Sequence, residues 1–308
     1  MIRTLRLSAS DFSLRHTLEC GQAFRWRPAN GGYYGFLPVR AAASGLGSSC
    51  AAKVRQQDDA LIVETIDPRL TSDDVRWYFA LDLDLARVLA SIDADAQIHD
   101  AITRFRGLRV LRQDSWECLA SFILSSFNNI KRIQGMIDRL SAAYGAPAAF
   151  NGFRGCAFPT PERIASASEP RLRELGLGFR APYLKATARL IADGRLSFDT
   201  LRRAEYLATK TALLHCDGVG EKVADCVALF GFEKYQAFPV DVWMERAMRY
   251  YFRRRRTTPK RIHEFASRHF GPYAGYAQQY LYHYVRSMRK AVGSQQSTAS
   301  APLGYSLS

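Results

Sequence analysis

The pattern of apolar and polar positions changes period near residue 70. Before it, Phe24 and Trp26 alternate with Arg25 and Arg27, an aromatic-rich run covers Tyr33 to Val39, and Leu61-Ile62-Val63 forms a third apolar stretch. Asn30-Gly31-Gly32 and Gln57-Asp58-Asp59 supply turns between them. Two-residue alternation broken by such turns predicts an antiparallel meander. The Ala/Ser/Gly-rich segment 41–52 reads as a mobile loop between strands.

From Thr71 the spacing becomes helical. Thr71 with Asp74 matches a capping box, Leu85, Val88, Leu89 and Ile92 share one helix face, and Ile98, Ile102 and Phe105 repeat the pattern. Asp114 caps a helix that carries Leu119, Phe122 and Ile123, and the next has an Ile130, Ile133, Ile137, Leu140 stripe. Thr160-Pro161 and Glu169-Pro170 open two short helices, and Leu175-Gly176-Leu177-Gly178 breaks the chain before a helix over Ala181 to Asp193. Further helices are predicted from Ala204 to Leu214, Glu221 to Phe230 and Tyr273 to Arg289, with residues 291–308 an uncharged, disordered tail. The fold class is therefore α+β: a sheet domain at 1–92, a helical lobe at 113–234, and a second lobe from 93–112 with 235–290.

Composition is that of a soluble globular protein, 47% hydrophobic and 23% charged in 308 residues, except for a net charge of +14. Such an excess points to a polyanionic partner, and nucleic acid is the commonest one. Six cysteines include no C-x-x-C pair and no zinc or iron–sulfur spacing, which fits reduced thiols. No run suits a signal peptide or a membrane helix, so the expected setting is soluble and cytoplasmic, or nuclear in a nucleated cell.

Within this frame the stretch His215 to Cys226, H-C-D-G-V-G-E-K-V-A-D-C, reads as helix, tight hairpin, helix. Gly218 and Gly220 flank Val219, glycine permits positive φ and close approach of a phosphate, and the free N–H groups that open the second helix favour an anion. Lys222 lies in the first turn of that helix. After Phe238-Pro239-Val240, Asp241 stands where a helix N-cap would. Taken singly, these residues leave plainer readings open: a common glycine turn, a solvated lysine, and a cap worth roughly 0.5–2 kcal/mol.

The combination resembles the helix-hairpin-helix DNA glycosylases, and within them the 8-oxoguanine DNA glycosylases. The segments that carry the resemblance are C-G-Q-A-F-R-W at 20–26, R-V-L-R-Q-D at 109–114, S-S-F-N-N-I-K-R-I at 125–133, L-G-L-G-F-R-A-P-Y at 175–183, G-V-G-E-K-V-A-D-C at 218–226, P-V-D-V at 239–242 and G-P-Y-A-G-Y-A-Q at 271–278. They run in family order through nearly the whole chain.

The resemblance implies a monomer that binds double-stranded DNA containing oxidised guanine, flips the damaged nucleotide and attacks its sugar C1′ with Lys222, with Asp241 across the pocket. An amine nucleophile must shed its proton, a demand of roughly 3–4 kcal/mol at neutral pH, whereas the carboxylate stays ionised and stabilises positive charge on the sugar. The Schiff base that follows permits β-elimination. No metal or organic cofactor is needed. By the same resemblance Gly21 accepts the N7–H of the oxidised base, Cys226 and Tyr282 sandwich it, and Gln278 bonds its Watson–Crick edge. Gly218, Val219 and Gly220 hold a DNA phosphate. Arg132 and Arg180 meet the orphaned cytosine beside Asn128 or Asn129, and Phe179 wedges the stack. Phe127 replaces the first asparagine of a three-asparagine run, Asp217 replaces a proline, and Trp243 replaces a histidine. The alternatives are a glycosylase of the same fold for another damaged base, or a non-catalytic helix-hairpin-helix module that binds damaged DNA.

Overall fold

The sheet forms where the alternation and the turns place it. The structure is a computed structural model that describes residues 1–40, 49–253, 255 and 257–298. Strands β1 (Arg3–Ser8), β2 (Arg27–Ala29), β3 (Gly32–Pro38), β4 (Ser49–Gln57) and β5 (Ala60–Thr65) make one antiparallel sheet in the order β1-β5-β4-β3-β2. The β2–β3 hairpin turns on Asn30 and Gly31, both at positive φ, the geometry whose twist suits a two-residue loop.

Two expectations need correcting here. Of the predicted loop 41–52, residues 41–48 lie outside the described residues, but 49–52 belong to β4. Cys50, Ala52 and Val54 face the sheet's own core, while Ala51 joins Phe36 and Phe150 on the other face. A strand buried on both sides carries small apolar residues without alternation, and so it resembles a loop in sequence. Phe24 and Trp26 precede β2 rather than lying in a strand.

The helices are α1 (Leu14–Glu19), α2 (Ser72–Tyr78), α3 (Leu85–Ile92), α4 (Ala96–Arg104), α5 (Ser115–Leu124), α6 (Ile130–Tyr144), α7 (Pro161–Ser166), α8 (Glu169–Leu172), α9 (Arg180–Ala192), α10 (Phe198–Arg203), α11 (Tyr206–Leu214), α12 (Glu221–Phe232), α13 (Val242–Met248), α14 (Pro259–Phe270) and α15 (Ala274–Thr298). A small hairpin, β6 (Pro147–Phe150) with β7 (Phe153–Cys156), follows α6. The Thr71–Asp74 capping box is present in full, and Asp114 caps α5 through Glu117 N. The tail expected to be disordered from 291 is instead helical to Thr298: an uncharged stretch does not stop a helix, and no proline occurs before Pro302. Residues 299–308 lie outside the described residues. Among the described residues no helix is long and apolar enough to cross a membrane.

Two large apolar clusters result, beside the small one of Phe36, Ala51 and Phe150. The sheet packs Leu37, Val54, Leu61 and Val63 against Leu70, Val75 and Phe79. The helices share a larger core that takes in Leu85, Val88 and Ile92 of α3 together with α5, α12 and α15. A polar clip joins the two parts. Gln22 donates to the carbonyls of Thr17 and Arg109, accepts from Leu111 N, and its own carbonyl accepts from Gln113 Nε2 at 2.7 Å. Gln113 N in turn reaches Phe230 O at 2.7 Å, near the end of α12. Buried and satisfied at each contact, the clip fixes the turn at Gly21 relative to the hairpin helix.

Candidate active site

The hairpin connects α11 to α12. Gly218 adopts φ 77° against Tyr183, where a β-carbon would come within 2.6 Å of Cδ2, so both backbone and space demand glycine. Val219 is buried, and Gly220 N-caps α12 with open space where a side chain would be and no side-chain cap of its own. Asp225, fully buried, holds α12 in place: Lys210 lies 3.0 Å from it, Tyr206 donates to it at 2.6 Å, and His263 Nε2 lies at 3.4 Å.

Lys222 projects from the first turn of α12 into a cavity of about 540 Å³. Its Nζ lies 3.5 Å from Ser125 Oγ and 5.1 Å from the centroid of the Phe122 ring, and it forms no ion pair among the described residues. A half-buried amine with no carboxylate bound to it among the described residues suits a nucleophile. Cys226, one turn on, shares the cavity. Burial pushes its thiol up to about 12 against the pull of the Lys222 charge, so the thiol stays protonated beside the lysine.

Asp241 lines the same cavity from the start of α13. Its Oδ1 accepts from both Trp243 N and Met244 N at 2.9 Å, so the N-cap geometry is real, and Oδ2 takes part in neither bond. Cap and cavity wall are therefore one residue.

The far wall comes from the other end of the chain. Gln278 and Tyr282 lie one turn apart on α15, and both line the cavity. Gln278 is buried, and its Oε1 has no hydrogen-bond partner among the described residues, which costs about 1–3 kcal/mol until a donor arrives. Burial also raises the Tyr282 phenol to about 12. Gly21 completes the wall at φ 92°, a conformation that disfavours any side chain, with Arg286 Nη1 beside it.

Residues 4–119 match the N-terminal domain of 8-oxoguanine DNA glycosylases, and residues 120–272 match the HhH-GPD superfamily of base excision DNA repair proteins. The chain is 31% identical to the N-glycosylase/DNA lyase OGG1 of Arabidopsis thaliana, over 90% of this chain and 78% of that one. The chain belongs to the 8-oxoguanine DNA glycosylase family. A probable N-glycosylase/DNA lyase of Methanothermobacter thermautotrophicus is 29% identical over 92% of this chain and 96% of its own length. The Clostridium acetobutylicum 8-oxoguanine glycosylase/lyase, solved with double-stranded DNA containing cytosine opposite 8-oxoguanine, superimposes with a TM-score of 0.84 at 31% identity, covering 94% of this chain and 98% of that one.

In this glycosylase the residues expected at the opposite base lie outside the cavity lining, apart from Asn128 and Asn129. Those two shape the turn between α5 and α6: Asn128 donates to Leu124 O, and Asn129 N-caps α6 by accepting from Arg132 N. Phe127 stands at the tip, 96% exposed and at φ 49°. Arg180 is buried, donates to Ser126 O and Phe127 O, and lies 4.2 Å from the centroid of the half-exposed Phe179 ring. Burial and then the Arg132 charge pull Arg180 below the ordinary arginine value, and an anionic or carbonyl-rich partner relieves both. Arg132 itself is exposed.

Among the cavity residues that the sequence did not assign to the site are Phe122, Ser125, Gln279 and Arg286, and Trp243, noted only as replacing a histidine, lines the cavity as well. Phe122 lies on α5 and Ser125, three residues on, caps its end, and Arg286 follows Tyr282 by four, so helical spacing was the available signal.

Proposed function

We propose that the protein excises 8-oxoguanine opposite cytosine from double-stranded DNA and then cuts the strand, as a bifunctional N-glycosylase and lyase. The observation that carries the reading is a single cavity lined by Lys222, Asp241 and the unpartnered Gln278 Oε1. Lys222 Nζ attacks C1′, the bond from C1′ to the base breaks, and the base leaves with the electron pair of that bond. Asp241 stabilises the positive charge that develops on the sugar. Loss of a proton from Lys222 and opening of the sugar give a Schiff base. Removal of a C2′ proton then expels the 3′ phosphate, and water returns the free lysine.

The orphaned Gln278 acceptor matches the N1–H and N2–H donors of a guanine-type Watson–Crick edge. Cys226, a neutral thiol, and Tyr282 are taken as the two faces of the base site, with the Gly21 carbonyl accepting N7–H. Arg132 and Arg180 meet the orphaned cytosine, Phe127 enters the vacated stack beside Asn128 and Asn129, and Phe179 wedges the duplex. The open N-terminus of α12 at Gly218-Val219-Gly220 suits a phosphate. The sheet domain is set off from the helices by its own apolar cluster, with α3 going with the helices, while the two helical lobes of this reading share one core. The reading takes the protein as a monomer, working wherever the DNA is kept.

Borohydride reduction in the presence of an 8-oxoguanine:cytosine duplex is expected to trap a covalent adduct, absent from Lys222→Gln. No adduct from the intact protein, or an equal one from the variant, overturns the assignment.

A further inference from the structure

The cavity holds an arginine that the chemistry above leaves unused. Arg286 lines it, half-buried, and forms no ion pair among the described residues. Its hydrogen bond to protein is Nη1 to Cys20 O, a long one at 3.4 Å, to a carbonyl that Gln279 Nε2 also reaches at 3.5 Å. The guanidinium lies 5.8 Å from the Tyr282 ring centroid. Its Nη1 is 2.7 Å from where a β-carbon on Gly21 would sit. Gln278, Tyr282 and Arg286 follow one another at four-residue spacing on α15, so one helix face presents all three to the cavity. An arginine carries five donors in a fixed fork, and most of them here have no acceptor among the described residues.

We propose that Arg286 donates a hydrogen bond to the 8-carbonyl oxygen of the flipped base and is a specificity residue of this enzyme. The proposal rests on the reading that Gly21 accepts N7–H. In 8-oxoguanine N7–H and C8=O are neighbouring atoms of one cyclic urea, a donor beside an acceptor; guanine has a bare N7 and a C8–H. Gly21 and Arg286, adjacent in space, offer the complementary acceptor and donor. Gln278 reads an edge that both bases share, whereas this pair reads the part that oxidation changes.

The test compares the intact protein with Arg286→Met and Arg286→Lys in single-turnover reactions on three duplexes, each opposite cytosine: 8-oxoguanine, its 8-thioxo analogue, and an abasic site. The 8-thioxo base keeps N7–H but replaces the oxygen with a much weaker acceptor. The proposal expects Arg286→Met to slow 8-oxoguanine excision about tenfold to a hundredfold more than abasic-strand cleavage, with partial recovery in Arg286→Lys. The preference of the intact protein for oxygen over sulfur is expected to collapse in Arg286→Met. It is overturned if excision is unchanged, if excision and abasic cleavage fall together, or if the oxygen-to-sulfur ratio stays as in the intact protein, the mark of a residue that only positions the Cys20–Gly21 turn. An intact protein that cleaves the abasic duplex but leaves 8-oxoguanine in place overturns the substrate reading, and this proposal with it.

Discussion

Replacing Asp241 with asparagine separates the two roles that the structure superimposes on it. Oδ1 caps α13 through Trp243 N and Met244 N, both at 2.9 Å. An asparagine oxygen caps about as well as an aspartate, so Asp241→Asn is expected to keep stability to within a few tenths of a kcal/mol, whereas Asp241→Ala loses about 0.5–2 kcal/mol. In a chain this long, that loss lowers the unfolding temperature by a few degrees. The charge is a different matter. Removing a pre-organised group from a developing positive charge in a partly closed cavity costs about 3–4 kcal/mol of transition-state stabilisation, or roughly a hundred- to a thousandfold in rate. Thermal unfolding and single-turnover excision of 8-oxoguanine opposite cytosine, run on both variants, give the two readouts. The asparagine variant should unfold like the parent and cut like the alanine one. An asparagine variant within about threefold of the parental rate would make Asp241 a cap and no more, and one that unfolds as early as Asp241→Ala would show that the cap itself needs the charge; either result refutes the argument.

Two further predictions follow from the tip residue and the thiols. Phe127 is 96% exposed at φ 49°, so Phe127→Gly exchanges relief of backbone strain against unfolded-chain entropy and should change stability by less than about 1 kcal/mol. Excision should nonetheless fall severalfold and its dependence on the opposite base should change when all four are compared; unchanged excision would falsify the intercalating role. Burial raises Cys20 and Cys216 to about 11 and Cys50 and Cys226 to about 12. Because the folded values exceed the unfolded ones near 9, these thiols contribute full stability below pH 9 and lose it as pH rises from about 9 to 12, each by up to about 1.4 kcal/mol per pH unit. Urea midpoints at pH 8, 9 and 10 check the sign, and stability that rises across this range contradicts it.

Legibility in the sequence followed the physics of each signal. The caps at Thr71, Asp114 and Asp241, and the Asn30-Gly31 turn, were readable because each depends on neighbours two or three residues away. Helices α1 and α10 and the β6–β7 hairpin went unseen because four to six residues cannot establish a period. Helix α14 was missed although Thr258 caps it and Ile262, Ala266 and Phe270 form its buried face, since the arginines just before it dominate the local composition. The cavity was legible through resemblance at Lys222, Cys226, Asp241, Gln278 and Tyr282. Its actual assembly was not, because the Gln22–Gln113–Phe230 clip joins residues some 90 to 120 positions apart, and no local pattern announces such a contact.

On the proposed reading, that clip also explains how a nucleophile and a specificity surface so distant in sequence could meet one base. Gly21 accepts from the base only if its turn is held at a fixed depth relative to Lys222, and a glycine has no side chain with which to hold that turn. Gln22 fixes it from one side through Arg109, Leu111 and Gln113, and Gln113 continues to Phe230 on the helix that carries Lys222. Gln279 and Arg286 meet it from the other side at Cys20 O, on the helix that carries Gln278 and Tyr282. The turn is thus tied at once to the helix of Lys222 and to the helix of Gln278 and Tyr282. In the proposed mechanism the glycine hairpin places Lys222, and the buried glutamines set where the base must lie for that placement to matter.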